Sequence, residues 1–181
     1  MKKLLVLVLV FGLALGLAAC SNSKDSSADY EFGAQYIRTD GVVKSPYHAV
    51  INSKAELAAY YEANKENFDL ERRDRVAADR TIGFLDACDK YDDEFFEKST
   101  LVFIILEETS GSVRHEITDV QAHCDEQSIS RGLDVAIKRI SPEVGSCDMA
   151  EWHLFLEIQK EIFALGDELW INGEISQQID R

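Results

Sequence analysis

Four cysteines and four histidines carry most of the chemistry this 181-residue chain could offer: Cys20, Cys88, Cys124 and Cys147, with His48, His115, His123 and His153. No two of them form the His-x-x-x-His or Cys-x-x-Cys pair that puts metal ligands or a dithiol on one face. His123-Cys124-Asp125 places three ligand types in a row, but adjacent residues of an extended chain point to opposite sides. A nucleophilic thiolate needs positive neighbours to lower its pKa. Cys124 and Cys147 instead precede Asp125 and Asp148, so an envelope enzyme or thiol-redox protein using either is the weaker reading. Asp86, Asp89, Asp93 and Glu97 would share a face if one helix ran through them, but the Gly-turned loop of an EF-hand is missing. The expectation is therefore no catalytic residue, no cofactor and no resident metal, with a metal-binding solute receptor kept as a further alternative.

Cys20 stands apart, because its surroundings give it a chemistry of its own. Lys2 and Lys3 are followed by sixteen apolar or glycine residues without a charge, 4–19. That is the length of a secretory signal core and short of the ~20 residues that span a bilayer. The run ends in Leu17-Ala18-Ala19-Cys20, which resembles the lipobox of bacterial lipoproteins. The resemblance implies that Cys20 receives a diacylglyceryl group and becomes the first residue after cleavage. Residues 21–29 contain nothing apolar larger than alanine, so they read as a flexible tether. Two or more acyl chains anchor stably, at ~0.8 kcal/mol per buried methylene. The expected organisation is a signal over 1–19, a lipidated Cys20 with its tether over 20–29, and one domain over 30–181. The expected location is the outer face of the bacterial cytoplasmic membrane.

Without Lys2 and Lys3 the 19 basic residues become 17 against 33 acidic ones, a formal charge of −16. Such a chain lacks the basic footprint of a nucleic-acid binder, and charge would not draw it to anionic lipid. In an oxidising compartment the three remaining cysteines allow one disulfide. Cys124 has the most polar neighbours, so the expected bridge is Cys88 to Cys147. Closing that loop would stabilise by ~4 kcal/mol in a chain-entropy model.

The elements that must position these groups follow from periodicity. Residues 30–36 alternate as a strand, Asp40-Gly41 is a turn, and residues 47–51 suit a second strand. Ser53-Lys54-Ala55-Glu56 is a capping box, and Leu57, Tyr60, Tyr61, Asn64 and Phe68 then share a helical face. Residues 69–80 are charge-dense and read as a solvated helix or connector. Helices are expected over 82–89 and 92–98. The continuous apolar run 101–106 suits a central strand buried on both faces. It is expected to form a hairpin with a strand over 113–120, ahead of a loop over 121–127. Residues 133–138 and 152–158 alternate as further strands, the latter turning Trp152, Leu154, Leu156 and Ile158 to one side. Asn172-Gly173 between strand-like runs signals a type I′ hairpin. Together these predict an α+β fold, a mainly antiparallel β-sheet with helices packed on one face.

Residues 95–160 resemble small secreted bacterial domains of the PrcB-like class, named for an accessory subunit that stabilises a surface protease. The resemblance rests on the apolar strand 101–106, the turn Ser110-Gly111, strands 113–120 and 133–140, the Pro142 loop and the strand 152–158. The chain as a whole also looks like uncharacterised lipoproteins of Gram-positive bacteria. The function expected from anchor, composition and resemblance is a non-catalytic, membrane-tethered interaction or binding module, accessory to a surface protein or protease.

Overall fold

The structure is a computed structural model that describes residues 30–41, 47–73, 81–124, 126, 130–163 and 168–179. The signal, Cys20 and the tether lie outside them. Nine strands and four short helices form among the described residues. The first half holds β1 (Phe32–Arg38), β2 (Tyr47–Ile51), α1 (Lys54–Asn64), α2 (Phe84–Cys88) and α3 (Asp93–Lys98). The second holds β3 (Ser99–Glu108), β4 (Arg114–Cys124), β5 (Ser130–Ile140), β6 (Ala150–Gln159), α4 (Lys160–Phe163), β7 (Glu168–Ile171), β8 (Glu174–Ile175) and β9 (Gln177–Gln178).

The apolar run in β3 dictates the layering. A strand apolar on both faces must be covered on both, and β3 sits at the middle of a five-stranded sheet ordered β1-β6-β3-β2-β9. On one side Leu101, Phe103, Ile105 and Phe155 meet Leu57, Tyr60, Phe84 and Phe96 of the helices. On the other side Val102, Ile104, Leu154 and Leu156 meet Val120, Leu133, Val135 and Leu169 of a second sheet, ordered β4-β5-β7-β8. The result is three layers, helices on sheet on sheet, around two apolar cores.

The α+β class and the predominance of antiparallel pairing agree with expectation. The pairing of β3 with β4 does not. β3 pairs with β2 and β6, while β4 pairs with β5, so the turn at residues 109–113 carries the chain from one sheet to the other. The reason lies in the patterns: β3 needs partners of the fully buried sheet, whereas β4 alternates and has one wet face. β4 also runs on to Cys124, through residues expected to be loop, with a register shift between Ile117 and Asp119.

Local signals hold well. The Ser53 side chain accepts from the Glu56 backbone N–H, and Glu56 reaches back to the N–H of Asn52, one residue earlier than the ideal box. Asp92 caps α3 through the Phe95 N–H. Asn172 and Gly173 have φ of 52° and 82°, the left-handed pair a type I′ turn requires. The Asn172 amide also clasps the backbone N–H and carbonyl of Ile137, which fastens this hairpin to β5. The charge-dense segment is not helical over 69–73, and its residues 74–80 lie outside the described set.

Candidate functional site

The histidines divide by the face each strand gives them. His153 alternates away from Trp152 and Leu154, so it enters the helix-side core, where it is fully buried. Its Nδ1 lies 2.6 Å from the Thr39 hydroxyl and its Nε2 2.7 Å from the Tyr60 hydroxyl. A neutral imidazole offers one donor and one acceptor, and hydroxyls can play either part, so the ring is satisfied on both sides. Phe68, Phe84 and Phe103 pack around it at 4.8 to 6.0 Å between ring centroids. Burial lowers its pKa to about 3, which keeps it neutral. Burial likewise lowers His48 to about 4, with Nδ1 3.1 Å from the Ser176 hydroxyl.

His115 lies between the sheets, where burial outweighs the Glu108 carboxylate and lowers its pKa. Its Nε2 is 2.8 Å from Glu108 Oε1. The same carboxylate takes a forked pair from Arg139, Nε to Oε1 at 2.8 Å and Nη2 to Oε2 at 2.7 Å. Burial opposes ionisation of Glu108, but Arg139 and His115 together hold its pKa below the usual range. This Glu–His–Arg set joins β3, β4 and β5 across the two sheets. It was missed in the sequence because the three residues come from different strands with no common spacing.

The cysteines require a correction. Cys88 and Cys147, expected as a bridge, are free thiols, and Cys124, expected to be free, is disulfide-bonded. Cys88 lies on α2 beside a 280 Å³ groove that Tyr61, Leu85 and Tyr91 help to line, and burial pushes its thiol up to about 12. Cys147 is exposed in the β5–β6 loop, next to Asp148. Ser146 and Arg38 hold the Asp148 carboxyl down at about 2. The two thiols thus belong to separate regions, one on the helix layer and one in a surface loop. The acidic series also separates: α2 stops at Cys88 and α3 begins at Asp93. Asp86 and Asp89 instead pair with Arg72 at 2.9 and 2.6 Å. No group of three or more metal-ligating side chains is gathered among the described residues.

The outer face of the second sheet collects a different set. Because Leu133, Val135, Leu169 and Ile171 point inward, their alternating neighbours point out. Register places Gln121, Asp134 and Trp170 side by side across β4, β5 and β7. The adjacent row is His123, Gly132 and Glu168. A Cβ on Gly132 would stand 1.8 Å from the Glu168 carbonyl oxygen, so only glycine fits there. Above this gap the His123 and Trp170 rings stack at 4.0 Å, 12° from parallel. The Trp170 indole N–H donates to Glu168 at 3.2 Å. Asp119 accepts from Gln121 and from the Val120 N–H, while the Asp134 carboxylate bonds to no described residue. Beside the row lies a 210 Å³ depression between Asp134, Gln121 and the Asn172–Gly173 turn.

Compared with protein-family models, with characterised proteins and with solved structures, the chain matches none.

Proposed function

We propose that the chain is a membrane-tethered, extracytoplasmic binding module, held to the outer face of the cytoplasmic membrane by lipid on Cys20 and accessory to a surface protein or protease. The observation that carries the binding role is where the polar chemistry sits. His153, His115, Glu108 and the Cys88 thiol are turned inward and occupied by neighbours or apolar packing. The groups left facing outward form a shallow row on a rigid sheet, Gln121, Asp134 and Trp170. Buried pairs of this kind specify the fold, whereas a half-exposed aromatic near the open carboxylate of Asp134 suits recognition. The anchor rests on the Leu-Ala-Ala-Cys ending of the signal and on the polar tether behind it.

Metabolic labelling with a fatty acid tests the anchor. Label should appear on the wild-type chain and vanish from Cys20→Ser, which should also stay unprocessed; undiminished label on the variant would sink the assignment. A rival reading has one observation in its favour, the exposed free thiol of Cys147. A redox role requires that thiol to exchange rapidly with a mild disulfide and to cycle with turnover. Slow exchange without turnover is the outcome expected of a binding module.

A further inference from the structure

We propose that residues 174–179, β8 and β9 with Ser176 between them, form an acid-released strap whose catch is His48. The inference goes beyond the binding reading and does not depend on the lipid anchor. The strap belongs to both sheets: β8 pairs with β7 of the four-stranded sheet and β9 with β2 of the five-stranded sheet. At the crossing the Ser176 N–H donates to the Leu169 carbonyl at 2.8 Å, and the Ser176 hydroxyl lies 3.1 Å from His48 Nδ1. The Ile179 N–H then donates to the His48 carbonyl at 2.8 Å. His48 therefore holds the strap through both its side chain and its backbone.

The hold is thin. Each strap strand is two residues long and exposed. β9 meets β2 in parallel over Tyr47–Gln177 and His48–Gln178, and parallel pairing is the weaker kind per residue. Segments with few buried contacts open locally at less cost than the core. Opening would uncover the edge of β2, a row of main-chain donors and acceptors of the sort that native sheets keep covered.

The catch is sensitive to protons. His48 is 2% exposed, and its Nε2 has no hydrogen-bond partner among the described residues. If Nδ1–H donates to Ser176, protonation puts an unpaired N–H at Nε2. If Nδ1 accepts, Nε2–H is unpaired already and protonation takes away the acceptor of the Ser176 hydroxyl. Either way the closed strap would enclose a charge without full hydrogen bonding, which is costly, whereas the open strap lets water reach the ring. Among the described residues no carboxylate turns toward it. Ile104 stands beside His48 on β3 and Gln178 on β9, and Tyr47 of β2 packs on the helix side. On β3, Glu107 is exposed and Glu108 is held by His115 and Arg139. On β7 and β8, Glu168 accepts from the Trp170 indole and Glu174 is exposed. Burial alone lowers the His48 pKa, to about 4. Closure is thus fully stable above the open-state value of ~6.5 and weakens as pH falls toward the closed-state value.

The test is amide hydrogen exchange of the detergent-solubilised full chain, read by NMR at pH 7 and pH 5, corrected for intrinsic rates, with and without low urea. The Ser176 and Ile179 amides should open roughly twenty-fold more often at pH 5, in a step that low urea barely changes, as local release requires. The β3 amides, which exchange through global unfolding, should respond strongly to urea. His48→Asn keeps a polar partner for Ser176 but cannot take up a proton in this range, so its strap should lose the pH dependence. If that variant does not fold, the pH and urea responses of the wild-type chain still decide. Strap opening that is equal at pH 7 and 5, a pH response that survives in folded His48→Asn, or strap amides with the urea sensitivity of β3 overturns the proposal.

Discussion

The two sheets of this domain treat polar residues in opposite ways. The five-stranded sheet is covered by helices on one side and by the second sheet on the other, so a polar side chain in it has nowhere to go but inward. His153 on β6 shows the consequence, with Thr39 and Tyr60 filling both ring nitrogens inside an aromatic cage. The four-stranded sheet is covered on one side. Its alternation leaves Gln121, Asp134 and Trp170 on an open face, where Gln121 and Trp170 bond to Asp119 and Glu168 at the surface and the Asp134 carboxylate stays open. Burial on both faces turns chemistry into architecture, and burial on one face leaves it available for recognition.

The largest expected effect lies where the two sheets meet. Leu154 is fully buried in the inter-sheet core, so Leu154→Ala should cost roughly 2–5 kcal/mol, read from denaturant melts. A loss below about 0.5 kcal/mol would mean that β6 does not bury both faces.

Acid should destabilise through the covered sheet first. His153 and His48 have folded pKa values of about 3 and about 4, below the unfolded value of ~6.5. The unfolded chain therefore binds more protons between these limits. The stability is fully present above pH ~6.5 and is lost as pH falls toward the folded values. Each ring should contribute a decrease on the order of 2 kcal/mol between pH 7 and 5, read from equilibrium unfolding, and replacing His153 should remove roughly half of the total. A flat profile in the wild-type protein would place these rings in contact with water.

Gly132→Ala is a sharper probe of the open sheet. Its Cβ meets backbone, not a movable side chain, so β5 and β7 must part, at a cost of roughly 1–3 kcal/mol. The His123–Trp170 stack should loosen with it, visible as a change in tryptophan emission. Unchanged stability would mean that the β5–β7 approach is looser than 1.8 Å implies.

Much of this was legible in the sequence, and the part that was not has a common cause. Period and caps act within one segment, so the Ser53 cap, the Asn172-Gly173 turn and the doubly buried strand at β3 could be read locally. Whether β3 pairs with β4 depends on how two faces are shared among distant strands, and a local hairpin signal cannot decide that. The Glu108–His115–Arg139 set and the Gln121–Asp134–Trp170 row are likewise products of register between strands. Neighbour polarity, the ground for expecting a Cys88–Cys147 bridge, says little about which two sulfurs the fold brings within bonding distance. Alternation did carry one unused signal: with Trp152 and Leu154 on one face of β6, His153 had to face the other.

The smallest effect should separate the open face from the core most cleanly. Asp134→Asn removes a half-exposed carboxylate that bonds to no described residue, so stability should move by less than about 0.5 kcal/mol. A loss well above that in the same melts would give Asp134 a structural duty and remove it from the recognition strip.

The central claim, a binding module tethered by lipid, is tested most directly by mass spectrometry of the N-terminal peptide of the chain purified from its native membranes. The account predicts a peptide beginning at Cys20 with its sulfur in a thioether to diacylglycerol, and with it a free Cys124 thiol in the lipidated chain in place of the disulfide that the structure gives this residue. An unprocessed N-terminus, an unmodified Cys20, or a Cys20–Cys124 disulfide peptide from the mature protein would contradict it.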